Sequence, residues 1–275
     1  MFLIKLIIKL LISRLFLIIP ETLLSKKIKI FKTGNMNTYE YSRHIFFDRH
    51  YNRMKKLANI TNPVIMEFGP GNALSSSIFS RIVNAKNIYL VDSFELADKN
   101  INLYKTLVSE LPKKERILFK DVEFKNFEVF LESLNAKYFS NCLEDLKTLD
   151  DNSVDLIFSH SVMEHVRLED LPELISQMYR LLKKGGLVSH VIDFSDHLDF
   201  GLNNLRFSER VWESNFFANS GFYTNRISCP QMIDLFLQKN FRIIYKKTKS
   251  WDRIPIKKSE LNKDFSHFTN KDLRY

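Results

Sequence analysis

The chain of 275 residues holds two cysteines, Cys142 and Cys229, and seven glycines. Two cysteines cannot form the disulfide framework of a small secreted domain, and no Cys/His cluster has structural-zinc spacing. A reducing, cytoplasmic setting is therefore expected, and no metal site is. Acidic residues are scarce at one end: residues 1–60 carry only Glu21, Glu40 and Asp48 against twelve Lys/Arg, so the whole net charge of +9 lies there. Residues 61–275 are balanced in charge. Balance argues against an RNA or DNA substrate, which calls for a basic strip around the site.

The apolar N-terminus also lacks what a spanning helix needs. Lys5, Lys9 and Arg14 break Met1–Ile19 into short charge-free runs, where about 20 predominantly apolar residues are required. Arg14 interrupts the apolar region and no small-x-small cleavage site follows, which argues against a secretory signal. Lys5, Lys9 and Ser13 recur every four residues, a narrow polar stripe on a helix beside a broad Leu/Ile/Phe face. Lys26, Lys27, Lys29 and Lys32 follow directly. Residues 1–35 thus read as an amphipathic basic segment, with peripheral contact to the inner face of a membrane expected through residues 1–32. A packing or oligomerisation helix is the alternative.

What is present is enough for one α/β domain with additions, at 45% hydrophobic composition. With glycine so rare, Gly69, Gly71, Gly185 and Gly186 mark special positions. The run Val64-Ile65-Met66-Glu67-Phe68-Gly69-Pro70-Gly71-Asn72-Ala73 reads as a strand entering a tight turn, and Leu74–Val83 as the helix after it. A second strand, Asn87–Val91, ends in Asp92, where an acidic residue can take both hydroxyls of a ribose. A dinucleotide and S-adenosylmethionine both fit this much. The dinucleotide fingerprint wants a third glycine where Leu74 or Ser75 stands, and Glu67 sits badly beside a pyrophosphate. A carboxylate at Glu67 suits a cofactor carrying a sulfonium and an ammonium group.

Further on, Val154–Ser159 reads as a buried parallel strand that delivers Ser159 and His160 to the crevice where open α/β sheets bind ligands. Leu171–Leu182 reads as a helix closed by Lys183-Lys184-Gly185-Gly186, and Leu187–Ile192 as the next strand. Thr38–Asn59, Leu103–Leu111, Phe127–Leu134 and Ser228–Lys239 are helical by pattern, and Phe241–Thr248 reads as a last strand. Tyr41, His44 and His50 on the first of these helices are expected at the surface or in packing, with substrate contact as the alternative.

Four blocks, Glu67-Phe68-Gly69-Pro70-Gly71, Asp92, Ser153–Val166 and Leu181–Gly186, resemble in order the class I S-adenosylmethionine-dependent methyltransferases over roughly residues 60–195. The last glycine of the fullest family loop is Ala73 here. The resemblance implies a Rossmann-like, doubly wound, seven-stranded, mostly parallel sheet with an N-terminal helical extension. It implies a methyltransferase domain over 36–250, with residues 200–227 inserted as a substrate lid and 251–275 left as a charged tail. It implies S-adenosylmethionine as cofactor, held by Glu67, Gly69 and Gly71, with Ser159 and His160 at the crevice. Asp145 and the Leu146 backbone, in a segment like the family's adenine-binding one, would read the base.

In the family fold the strands before Ser159 and Asp193 are neighbours, so Asp193, Asp196 and His197 are expected to open on the same face as His160 and His165. A carboxylate beside an imidazole would make His197 or His165 a general base; an Asp-rich loop that caps the next segment is the structural alternative. Arg206, Trp212, Asn225 and Arg226 interleave aromatic and bidentate groups in the insertion and are expected to contact an acceptor, or else to pack. A softer resemblance to methyltransferases of bacterial surface-polysaccharide pathways implies a small-molecule or glycan acceptor. The rival readings are an inactive methyltransferase-fold binding module and an RNA methyltransferase. Oligomeric state is not readable.

Overall fold

The computed structural model describes residues 36–275, and the expectations for residues 1–35 lie outside them. Two compact units make up the described chain. One runs to Met163 and takes in Glu173–Ile192; the other comprises Glu164–Pro172 and Asp193–Tyr275.

The first unit opens with α1 (Tyr39–Arg43), a π-helical stretch (His44–Tyr51) and α2 (Asn52–Leu57). The expected helix over 38–59 is therefore present but widened in its middle, where the Asn52 N–H reaches back to the Phe47 carbonyl, five residues away. Strand β1 (Val64–Phe68) is buried at every position, and β2 (Asn87–Val91), β3 (Ala136–Phe139), β4 (Val154–His160) and β5 (Leu182–Val191) complete the sheet. Their order is β3-β2-β1-β4-β5 and every pairing is parallel. Strands buried on both faces explain the near-continuous apolar runs in the sequence. The connection reverses direction between β1 and β4, the switch point at which open sheets of this kind bind ligands. Helices α3 (Ser76–Ile82), α4 (Ile101–Ser109), α5 (Lys113–Arg116), α6 (Phe127–Ser133) and α7 (Cys142–Leu146) fill the crossovers, and Phe46, Phe79, Tyr104, Phe130 and Phe158 share one core.

Three expectations change here. Among the described residues the sheet has five strands, not seven. Residues 241–248 form no strand, and Ile243 and Ile244 are exposed. Helix α8 (Leu171–Leu181) ends before Lys183-Lys184-Gly185-Gly186, which forms a bulge instead of a helix cap. Val154 pairs with Leu182 and Leu156 with Leu187, so the β5 side carries extra residues, with Gly185 at φ +84°.

In the second unit α9 (Glu209–Trp212), α10 (Asn215–Ala218) and α11 (Cys229–Gln238) stand on two apolar clusters. Leu198, Trp212, Phe217, Phe222 and Tyr223 make one. Leu202, Leu205, Ile256, Phe265, Phe268 and Leu273 make the other, so the segment expected as a charged tail buries its few apolar residues. Ser228 begins α11 with a capping box to Gln231.

The turn after β1 is fixed by one glycine. Gly69 has φ +67°, and a Cβ built on it would lie 2.3 Å from Val162 Cγ2. Its N–H donates to the Val91 carbonyl at 2.8 Å, which ties the turn to β2. Gly69→Ala is expected to destabilise the protein by about 2–4 kcal/mol, from the left-handed backbone and the overlap together. Adding Val162→Ala should recover the steric part only, a split that chemical denaturation of the two variants would resolve.

Candidate active site

Around the Gly69–Gly71 turn polar groups are buried in unusual number. Glu67 is 2% exposed at the end of β1, and its Oε2 has no hydrogen-bond partner. Burial pushes its carboxyl up to about 8; the Ser76 hydroxyl beside it works against the shift and Asp92 adds to it. Asn72 Oδ1 and the Ser75 hydroxyl are buried without partners as well. Buried polar atoms are ordinarily satisfied, so a group of orphans on one loop calls for a ligand or water. Gly71, at φ +75°, would place a Cβ in open space with nothing within 4 Å, so the backbone there is accessible to a ligand.

Asp92, at 5% exposure, ends β2 beside this loop. Burial raises its carboxyl to about 7, against hydrogen bonds from the Tyr138 hydroxyl, 3.1 Å from Oδ2, and from the Gly71 backbone. Two carboxyls are thus held nearly neutral side by side, an arrangement that a cationic or hydroxyl-rich ligand would relieve. Asp145 is half-buried and its Oδ2 accepts the Asn141 N–H at 2.8 Å, which leaves Oδ1 for another donor. Leu146 is fully buried, and its carbonyl accepts from Arg180 at 2.8 Å.

Ser159 and His160 stand at the end of β4, where Phe68 pairs with Ser159. The Ser159 hydroxyl and His190 Nδ1 are 2.8 Å apart. His160 Nδ1 lies 3.3 Å from His50 Nε2, and His50 Nδ1 lies 2.9 Å from the Ser189 hydroxyl. His50, read as a surface or packing residue, takes the packing role: it is fully buried, with its ring stacked on Phe158 at 4.9 Å. Sequence reasoning missed Ser189 and His190, because the strand pattern over Leu187–Ile192 does not say which side chains meet partners on β4 or on the π-helical stretch.

Within the second unit, Glu164 is buried with its carboxyl raised to about 8 by burial; Oε1 accepts the Asp193 N–H at 3.2 Å and Oε2 is unpartnered. His165 and His197 meet with ring centroids 4.8 Å apart, and His165 Nδ1 lies 2.8 Å from the Tyr223 carbonyl. Burial lowers the basicity of His165, although the residue keeps an exposed face. These two imidazoles come together as expected, but the carboxylates meant to orient them are engaged elsewhere. Asp193 Oδ1 accepts from both the backbone and the hydroxyl of Ser195. Asp196 is fully buried and accepts from the amides of Leu198, Asp199, Gly201 and Asn203, so it caps its loop and does not direct an imidazole.

The insertion residues are mostly framework too. Trp212 is fully buried between Phe207 and Phe217 and donates to the Thr224 carbonyl, which removes it as an acceptor contact. Arg206 pairs with Glu260 at 3.0 Å, and the Asn225 amide donates to the Val166 carbonyl. Arg226, at φ +62°, packs over Phe265 and bonds to Glu213 and the Phe207 carbonyl, with burial lowering its pKa. Asn225 and Arg226 also line a cavity of about 350 Å³ with Gln231, Asp234 and Phe265. Among the described residues no His/Cys/Asp/Glu group is arranged to hold a metal ion.

Comparison with known proteins agrees with this geometry. Residues 66–189 match the family described as a methyltransferase domain. No curated protein sequence matches the chain. Among solved structures, the chain resembles the protein bound by the Trm112 methyltransferase activator of Haloferax volcanii, at 13% identity and a TM-score of 0.41, covering 74% of each chain. It also resembles the arsenic(III) S-adenosylmethionine methyltransferase of Chlamydomonas reinhardtii, at 17% identity and 0.38, covering 66% of this chain and 52% of that one. A third is the Haemonchus contortus phosphoethanolamine N-methyltransferase 1, crystallised with phosphoethanolamine and S-adenosylhomocysteine, at 17% identity and 0.36, covering 63% and 31%. All three likenesses are loose in both identity and superposition. The family match, the parallel sheet and the buried acidic loop together make residues 66–189 a class I methyltransferase domain, and its cofactor is S-adenosylmethionine.

Proposed function

We propose that the enzyme moves a methyl group from S-adenosylmethionine to an oxygen or nitrogen of a small molecule or glycan, with a membrane-linked saccharide as the preferred class. The observation that carries the cofactor half is the pair of buried carboxyls, Glu67 and Asp92, on either side of an open glycine turn. Glu67 would face the cationic end of the cofactor, the backbone of Gly69 and Gly71 its methionine portion, and Asp92 its ribose hydroxyls. Asp145 and the Leu146 backbone would meet the adenine. The cofactor supplies an activated methyl on a sulfonium, so the residues around it have chiefly to align and to exclude water. In the second unit, His165 and His197 form an imidazole pair with the chemistry of a general base.

The acceptor half rests on sequence. The balanced charge of residues 61–275 does not suit nucleic acid, and the basic, amphipathic residues 1–32 suit an anionic membrane surface. Among the described residues no helix is long and apolar enough to cross a membrane. Removal of residues 1–32 is expected to shift the protein out of the membrane fraction; unchanged partition would leave the acceptor without its membrane link.

Two further outcomes are expected of the cofactor site. Asp92→Ala should weaken S-adenosylmethionine binding about 10- to 100-fold, the loss of one or two hydrogen bonds to a charged group, in a calorimetric titration where NAD gives no signal. Because the folded-state pKa of Glu67 lies above its ordinary value, the ligand-free protein binds more protons folded than unfolded between about pH 4.5 and 8. Its thermal stability should therefore fall as pH rises through that window. Glu67→Gln should flatten the fall, measured by the transition temperature across pH 5–8.

A further inference from the structure

Three side chains of the first unit form a continuous hydrogen-bonded row: Ser189 Oγ, then His50 Nδ1 and Nε2, then His160 Nδ1, with separations of 2.9 and 3.3 Å. They come from three places in the sequence, β5, the π-helical stretch and the end of β4. Ser189 pairs with Phe158 in the sheet, and His50 lies over that face, stacked on Phe158 and edge-on to His160 with centroids 5.5 Å apart. His160 is the outer end of the row. It follows the Phe68–Ser159 pair, so it lies level with Gly69 at the β1/β4 switch point, and Val162, two residues on, touches the Gly69 turn.

We propose that Ser189, His50 and His160 form a proton relay that drains the acceptor's proton away from the methyl-transfer site, with His160 as the proton-accepting catalytic residue and His50 as its positioning residue. This deepens the methyltransferase reading above and rests on it.

Each imidazole in such a row is neutral and carries one N–H, so only two proton arrangements satisfy both contacts. In one, His160 Nδ1–H donates to His50 Nε2, and His50 Nδ1–H donates to Ser189 Oγ, which leaves the His160 Nε2 lone pair facing outward. In the other, the Ser189 hydroxyl donates to His50 Nδ1, His50 Nε2–H donates to His160 Nδ1, and His160 Nε2 carries a proton. Methyl transfer converts the first into the second. As the acceptor oxygen or nitrogen forms its bond to the methyl carbon and the carbon–sulfur bond breaks, the electron pair returns to sulfur and the acceptor's proton passes to His160 Nε2. The Nδ1 proton of His160 passes to His50, the Nδ1 proton of His50 passes to Ser189, and the original Ser189 hydroxyl proton leaves to water at this half-buried position. Neither ring stays charged at the end of the step.

Charge is what the surroundings forbid. His50 is lowered to about 2 by burial first, then by His160, His190, Arg53 and Arg49. His160 is lowered to about 4, by burial, then Arg49 and His44. A lone imidazole so disfavoured as a cation would be a weak base near neutral pH; passing the proton along the row avoids the cation.

The test uses the full chain with 15N-labelled histidine, saturated with S-adenosylmethionine, and reads the ring nitrogens by long-range 1H–15N correlation between pH 5.5 and 8. His50 and His160 are expected to stay neutral across the range with matching tautomers, both Nδ1–H or both Nε2–H. In His50→Gln, His160 should lose its single tautomer. Ser189→Ala should alter the His50 nitrogens and, through them, those of His160. A ring that titrates near 6.5 in the unsubstituted protein, or a His160 tautomer indifferent to both substitutions, would overturn the relay. Cofactor titration of the same samples separates the two ideas: retained binding with an unlinked His160 sinks only the relay, whereas absent binding in the unsubstituted protein sinks the cofactor assignment.

Discussion

Two carboxyl groups buried side by side, Glu67 and Asp92, are the constraint on which the rest of the first unit depends. Putting ionised carboxylates into a protein interior is costly, and here burial holds both well above their ordinary pKa. The sheet gives them no choice of place, because each ends one of two adjacent parallel strands, β1 and β2, whose register matches Glu67 with Leu90 and Phe68 with Val91. The glycine turn follows from the same geometry. The chain must leave β1 at once and pass close to Val162, which only a residue without a Cβ permits at Gly69. Under the proposed reading, a cofactor with a positive end and a ribose would relieve what the protein alone leaves in place.

The second unit is organised differently, by aromatic packing and by loop carboxylates. Asp196 collects four backbone amides, and Trp212 anchors a cluster with Phe217, Phe222 and Tyr223. Glu213 bridges the Tyr223 hydroxyl and Arg226. Residues of these types invite an acceptor-contact reading in sequence, yet most of their polar atoms are consumed in holding an irregular segment with little regular secondary structure. His165 and His197 meet through ring contact.

Much of the cofactor half was legible because it rests on local signals. The strand Asn87–Val91, the glycine pair and Asp92 are close in sequence, and their spacing encodes strand, turn and strand end. Other outcomes turn on what a segment meets elsewhere in the chain. Lys183-Lys184-Gly185-Gly186 carries every sign of a helix cap, but pairing with β4 captured it as a bulge. Residues 241–248 have strand composition without a strand. His50 read as either a surface or a packing residue, and the π-helical widening and the sheet beneath it decide for packing by burying the ring against Phe158. A single sequence gives period and propensity; which face meets which neighbour is a tertiary fact.

The central claim, that the buried acidic loop is built for a cationic cofactor, is tested most directly by counting protons on binding. Calorimetric titration with S-adenosylmethionine at pH 7, in buffers of different ionisation enthalpy, should reveal release of about one proton, because the cation returns Glu67 toward its ordinary pKa and ionises it. Glu67→Gln should abolish most of that release while binding persists. Binding without proton release in the unsubstituted protein, or with proton uptake, would contradict the account.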